Sequence, residues 1–141
     1  MPDLSRILKA DTPLTLAQVA RGAQPLVMAD LARASTGRAV FIAPDDSAMR
    51  AIVDAAAFFA PELEVIEFPA WDSLPYDRAS PALSISARRL SALFRLQAGK
   101  AKAQLVVTTA NAVLQRVLSP FRIRESVREF KPGMEIGRES L

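Results

Sequence analysis

Ala39-Val40-Phe41-Ile42-Ala43, five apolar residues closed by Pro44, is the stretch on which the fold turns. A run this short and unbroken lacks the alternation of a strand with one wet face, so it predicts a strand buried on both faces of a parallel sheet. Directly after it, Asp45-Asp46-Ser47 offers helix caps, and Met49, Ile52, Val53, Ala56 and Phe59 or Ala60 recur at helical spacing until Pro61. Residues 63–68, Leu-Glu-Val-Ile-Glu-Phe, then predict a further strand. A strand, a helix and a second strand within thirty residues is the unit from which parallel sheets are made.

The pattern extends in both directions. Upstream, Leu14, Leu16 and Val19 after Pro13 predict a short first strand, and a helix over 25–34 opens on Pro25 and stops at Thr36-Gly37. Downstream, a helix over 83–98 places Ile85, Leu90, Leu93, Phe94 and Leu96 or Gln97 near one face and ends at Gly99. A strand over 105–109 and a helix over 112–118, ended by Pro120, complete four strand–helix repeats. This alternation predicts an α/β fold, an open, mostly parallel sheet with helices on both faces. Beyond Pro120 charge becomes dense, 126–130 is strand-like and Pro132-Gly133 makes a turn. The expected organisation is an extension over 1–13, the α/β domain over 14–119 and the start of a second domain over 120–141.

With 141 residues, half of them hydrophobic, the chain can bury one ordinary core. It has no cysteine and no histidine, which excludes disulfides, thiol nucleophiles, imidazole bases and most transition-metal ligand sets. Eighteen basic against fifteen acidic residues give a net charge of +3, without the Lys/Arg-rich run of a nucleic-acid arm. No apolar run approaches the roughly 20 residues that span a bilayer, and 1–11 carries polar residues throughout in place of a signal-peptide apolar stretch. A soluble, cytoplasmic protein with no membrane partner is expected.

In such a domain phosphates are held at the first strand-to-helix turn. A P-loop needs Gly-x-x-x-x-Gly-Lys-Ser/Thr, glycines for close backbone approach, lysine for charge and a hydroxyl for magnesium. The corresponding turn here runs Gln18-Val19-Ala20-Arg21-Gly22-Ala23-Gln24-Pro25. Gln18 and Ala23 stand where the glycines belong, Gln24 replaces the lysine, and Pro25 replaces the hydroxyl while deleting a backbone donor. A plain turn into a proline-started helix is the expected reading, with no cofactor held. The loop over 69–77 carries the only Trp and the only Tyr, Trp71 and Tyr76. These could form a partner-binding or base-stacking patch, or pin the loop to the sheet edge. Arg88 and Arg89 could meet phosphate or an acidic partner, although a solvated stripe opposite the helix's apolar face is expected. Asp45, Asp46, Asp72 and Asp77 could suggest a magnesium or acid–base cluster, but capping and turn chemistry account for them. Without a nucleophile–base pair, no catalytic residue and no metal site is assigned.

Phe68-Pro69-Ala70-Trp71-Asp72-Ser73-Leu74-Pro75-Tyr76-Asp77, with Ser80-Pro81 and Arg88-Arg89-Leu90, resembles the amino-terminal region of bacterial transcription-repair coupling factors. Trp71-Asp72-x-Leu74-Pro75-Tyr76-Asp77 is the distinctive part. The resemblance runs from about Leu14 to the end, through Thr109, Asn111-Ala112, Leu114, Arg116-Val117 and Phe130-Lys131-x-Gly133. That region is in turn similar to UvrB, whose first domain has an intact P-loop and a long DNA-gripping hairpin, both missing here. The resemblance implies a vestigial, helicase-like domain 1a with a degenerate P-loop, interrupted by a second domain that recruits UvrA. It further implies that the parent protein binds RNA polymerase and double-stranded DNA and uses ATP and magnesium in a motor far downstream. A different class of reading is a stand-alone nucleotide-binding α/β enzyme with an unconventional cradle around Arg21 and Gly22.

Overall fold

In the computed structural model, which describes residues 4–35, 38–73, 78, 80–99, 103–126 and 132–135, three strands form one parallel sheet. They are β1 (Ala39–Ala43), β2 (Glu64–Phe68) and β3 (Gln104–Thr109), in the order β1-β3-β2. In register, Ala39 faces Leu105 and Glu64 faces Gln104. The helices are α1 (Leu4–Leu8), α2 (Gln24–Ala34), α3 (Asp46–Phe59), α4 (Leu83–Gln97), α5 (Ala110–Leu114) and α6 (Pro120–Ser126). Thr36, Gly37, Tyr76, Asp77 and the strand-like 127–130 lie outside the described residues; Pro132-Gly133 does turn, with Gly133 at φ 85°.

Two apolar layers sandwich the sheet, so the α/β architecture with helices on both faces is the one observed. On one face Ala29 and Ala32 of α2 and Met49, Ile52 and Ala56 of α3 pack on Ala43, Leu105 and Val107. On the other, Ala92, Leu93 and Leu96 of α4 cover Ile66, Phe68 and Val106. Every residue of β3 is buried, because its side chains alternate between the two layers.

Several expectations are corrected. β1 forms where the apolar run predicts it, but it is not buried on both faces. It lies at a sheet edge, and Val40 and Ile42, on the sheet face that carries α4, remain 54% and 53% exposed there. The doubly buried strand is β3. Leu14, Leu16 and Val19 form no strand; Leu14 and Leu16 are 47% and 41% exposed. Alternation over so few residues does not separate a strand from an extended loop when no partner strand accepts it. Pro120 opens a helix instead of ending one, as the fixed φ of proline suits a first helical position. The preceding helix, α5, has already stopped at Leu114. α6 packs back on α4, burying Ile123, and Arg124 Nε donates to Gln97 Oε1 at 3.3 Å.

Polar side chains tie the amino ends of the strands together. Gln104, 1% exposed at the start of β3, accepts from Arg38 Nε and donates through Nε2 to Glu64 Oε2 at 2.7 Å. Arg95 of α4 donates to Glu64 Oε1 through Nε and Nη2 at 3.0 and 2.8 Å. The Gln104 hydrogen bond, then Arg95, hold the Glu64 carboxyl below its ordinary value against the opposing effect of burial.

Candidate functional site

The turn over 18–25, compared above with a P-loop, sits at the carboxyl end of β1. After a turn at 17–18, a short 3-10 helix (Arg21–Ala23) leads into α2, with Pro25 in the first helical turn. Arg21, Gly22, Gln24 and Pro25 face Pro44, Asp45 and Ser47 across a crevice of about 560 Å³. The structure therefore brings Gly22, Gln24 and Pro25 to the place where a ligand normally sits in this architecture. Gln18 is not among the residues lining the crevice; it takes a left-handed φ of 59° where a P-loop would carry its first glycine. A Cβ at Gly22 would meet nothing within 4 Å, so no neighbouring part of the described chain requires a glycine there.

The opposite wall is shaped by capping. Asp45 accepts from the Ala48 amide at 2.8 Å and closes the amino end of α3. Its carboxylate leaves Arg21 facing a negative group across the crevice. Asp72 accepts from the Ala82 amide at 3.2 and 3.3 Å, fastening the loop ahead of α4. The turn and capping roles expected of Asp45 and Asp72 are thus the ones observed. Among the described residues no three acidic side chains come together as a metal-binding group.

Arg89 departs most from its expected place. It is not part of a solvated stripe: it is 2% exposed, and its guanidinium lies 4.3 Å from the centre of the Phe68 ring and 4.4 Å from that of Trp71. Its Nη1 donates to the Pro69 carbonyl at 2.5 Å and to Gln115 Oε1 at 3.1 Å. Gln115 Oε1 also accepts from the Trp71 amide at 2.9 Å. One planar cation therefore joins the end of β2, the Trp71 loop and the segment after α5, with the stacking geometry for which a flat guanidinium is suited. Burial pushes the Arg89 pKa down, and no carboxylate pairs with it among the described residues. Arg88, one residue earlier, is exposed and reaches Glu67 Oε1 at 3.3 Å.

The reason lies in helix periodicity. Ile85, Arg89, Ala92, Leu93 and Leu96 recur at three- and four-residue steps, so Arg89 occupies the middle of the face that α4 turns to the sheet. Leu90, expected on that face, is 37% exposed instead. Gln115, which sequence reading did not single out, carries no signal beyond its place after a short helix. Beside Arg89 a second cavity of about 380 Å³ opens between α4 and the 116–118 segment.

The molecule is thus an α/β domain with a crevice at the carboxyl end of its sheet and an arginine-centred aromatic cluster on the other side. Comparison with known proteins places it more closely: over most of its length the chain is similar to a segment of the transcription-repair-coupling factors. It is 30% identical over 118 residues, 84% of its length, to the Haemophilus influenzae transcription-repair-coupling factor. It is 27% identical over 134 residues to that of Escherichia coli, and 36% identical over 62 residues to that of Rickettsia bellii. The chain spans about a tenth of the length of the first two relatives, 10% and 11%. No family model matches the chain, and no solved structure matches it closely. Among the described residues no helix is long and apolar enough to cross a membrane.

Proposed function

We propose that this chain is a non-catalytic module from the amino-terminal region of a cytoplasmic transcription-repair coupling factor. In this reading it helps bring nucleotide excision repair to RNA polymerase stalled at a DNA lesion. UvrA is recruited through a second domain that begins in 120–141. ATP and magnesium are used elsewhere in the parent protein, by a motor that moves along double-stranded DNA. The observation that carries the reading is the similarity to coupling factors over 84% of the chain. The chemistry of the crevice supports its non-catalytic part. Gln24 offers no charge and Pro25 no backbone donor, while Asp45 sets a carboxylate opposite Arg21.

A stand-alone nucleotide-binding enzyme is the rival reading, favoured only by the size of the crevice and by Arg21 at its edge. Calorimetric titration of the chain with Mg-ATP separates the two. No saturable heat is expected. Saturable micromolar binding abolished by Arg21→Ala would overturn the non-catalytic reading. A longer chain that includes the whole second domain is expected to retain UvrA on a column, and failure to do so would remove the recruiting role.

A further inference from the structure

The cavity beside Arg89 has an apolar body and a positively charged margin. Trp71, Leu90 and Leu93 line one side, and Val117 and Leu118 the other. Leu90, Val117 and Leu118 are 37%, 54% and 48% exposed, although large apolar side chains gathered in a concave surface would ordinarily be covered. Among the described residues the charged ones in the lining are Arg89 and Arg116, with no acidic residue beside them. Arg89 is held in place by neutral acceptors and two aromatic rings, so its charge is positioned but not neutralised. A concave apolar surface with an exposed cation at its margin and a second one buried behind it is complementary to an apolar side chain flanked by a carboxylate.

We propose that this groove, between α4 and the 116–118 segment, is a docking site for an acidic, apolar peptide segment of a protein partner. A large aliphatic or aromatic side chain enters between Leu93 and Leu118, and an adjacent Asp or Glu meets the exposed Arg116, with the buried charge of Arg89 behind it. A protein segment fits better than a nucleic acid strand. Base stacking needs an open aromatic face, whereas Trp71 already has the Arg89 guanidinium against its ring, and the rest of the apolar lining is aliphatic. The site lies apart from the Arg21–Asp45 crevice, and the inference does not rest on the reading given above.

Trp71 is the only tryptophan in the chain and lines the groove, so its fluorescence reports occupancy directly. The 141-residue chain is titrated with a tryptophan-free peptide repeating Leu-Asp-Phe-Glu, with the same peptide carrying Asn and Gln for Asp and Glu, and with oligothymidylate. A saturable change with the acidic peptide is expected, weakened about tenfold or more by Leu118→Ser, in line with the value of one buried leucine. Arg116→Glu should weaken it similarly, and the Asn/Gln peptide should bind more weakly. Both substitutions fall on exposed residues and should leave the circular dichroism unchanged. Phe58→Ser, at a residue 80% exposed on α3, should leave binding intact. Absence of saturable binding would overturn the proposal. So would equal affinity for the uncharged peptide, equal loss in Phe58→Ser, or preferential saturation by oligothymidylate.

Discussion

Replacing Arg89 by lysine keeps the charge and removes the plane. The guanidinium stacks on two rings, at 4.3 and 4.4 Å, contacts worth about 0.5–1 kcal/mol each. It also donates to Pro69 O and Gln115 Oε1, and hydrogen bonds from a charged donor contribute about 1.5–3 kcal/mol. Without the plane, an ammonium cannot lie flat against both rings while keeping both acceptors, so Arg89→Lys should destabilise the fold by about 3 kcal/mol, a large share of a typical domain's ~5–15 kcal/mol. With a urea slope of about 2 kcal/mol per molar, the unfolding midpoint should fall by roughly 1.5 M. Urea titration followed by far-ultraviolet circular dichroism and by Trp71 fluorescence reads this directly, the second signal reporting the loop itself. Gln115→Ala should be coupled to it: the double variant should lose about 1 kcal/mol less than the sum of the singles, because the two residues share their contacts. A midpoint within about 0.3 M of the parent, or strict additivity with Gln115→Ala, would refute the role given to the guanidinium.

Two further outcomes follow from the geometry. The Glu64 carboxyl is held below its ordinary value by Gln104 and Arg95, so its contribution to stability is fully present above the unfolded-state value. It is lost as pH falls through the lower folded-state value. Glu64→Gln should therefore flatten the acid limb of the stability–pH curve measured by thermal unfolding, and an unchanged limb would show that the carboxylate is not coupled to folding. Gln18 holds a left-handed φ of 59°, which costs a side-chain-bearing residue about 1–2 kcal/mol. Gln18→Gly should raise the melting temperature, with a gain of about 0.5–1 kcal/mol once glycine's greater chain entropy is set against it; a lower melting temperature would show that the turn does not take this conformation in solution.

The elements legible in the sequence are those with a local physical signature. The apolar runs of β1 and β3, the Asp45 cap and the Met49–Ile52–Ala56 spacing of α3 all act within a few residues. What escaped reading depends on neighbours distant in the chain. Whether an apolar strand is central or at an edge is decided by strand order, so the burial assigned to β1 belongs to β3. Arg89 was legible in principle, since it falls in step with Ile85, Ala92 and Leu96, but an arginine in an apolar row reads as an interruption unless aromatic rings and a free carbonyl are known to await it. At the turn over 18–25, the absence of a P-loop lysine and hydroxyl was plain from residue types. The crevice there was not, because it is built jointly with the loop after β1.

The strand order carries a consequence for synthesis. β1 and β2 never touch one another in the ladder; each pairs only with β3, the last of the three to be made. A growing chain that has reached Phe68 therefore holds two strands with no hydrogen-bonding partner, and must keep them apart from other chains until Gln104–Thr109 leaves the ribosome. Both pairings of the sheet thus wait on the same segment, so a nascent molecule carries two strands without their native partner until residue 109 has emerged.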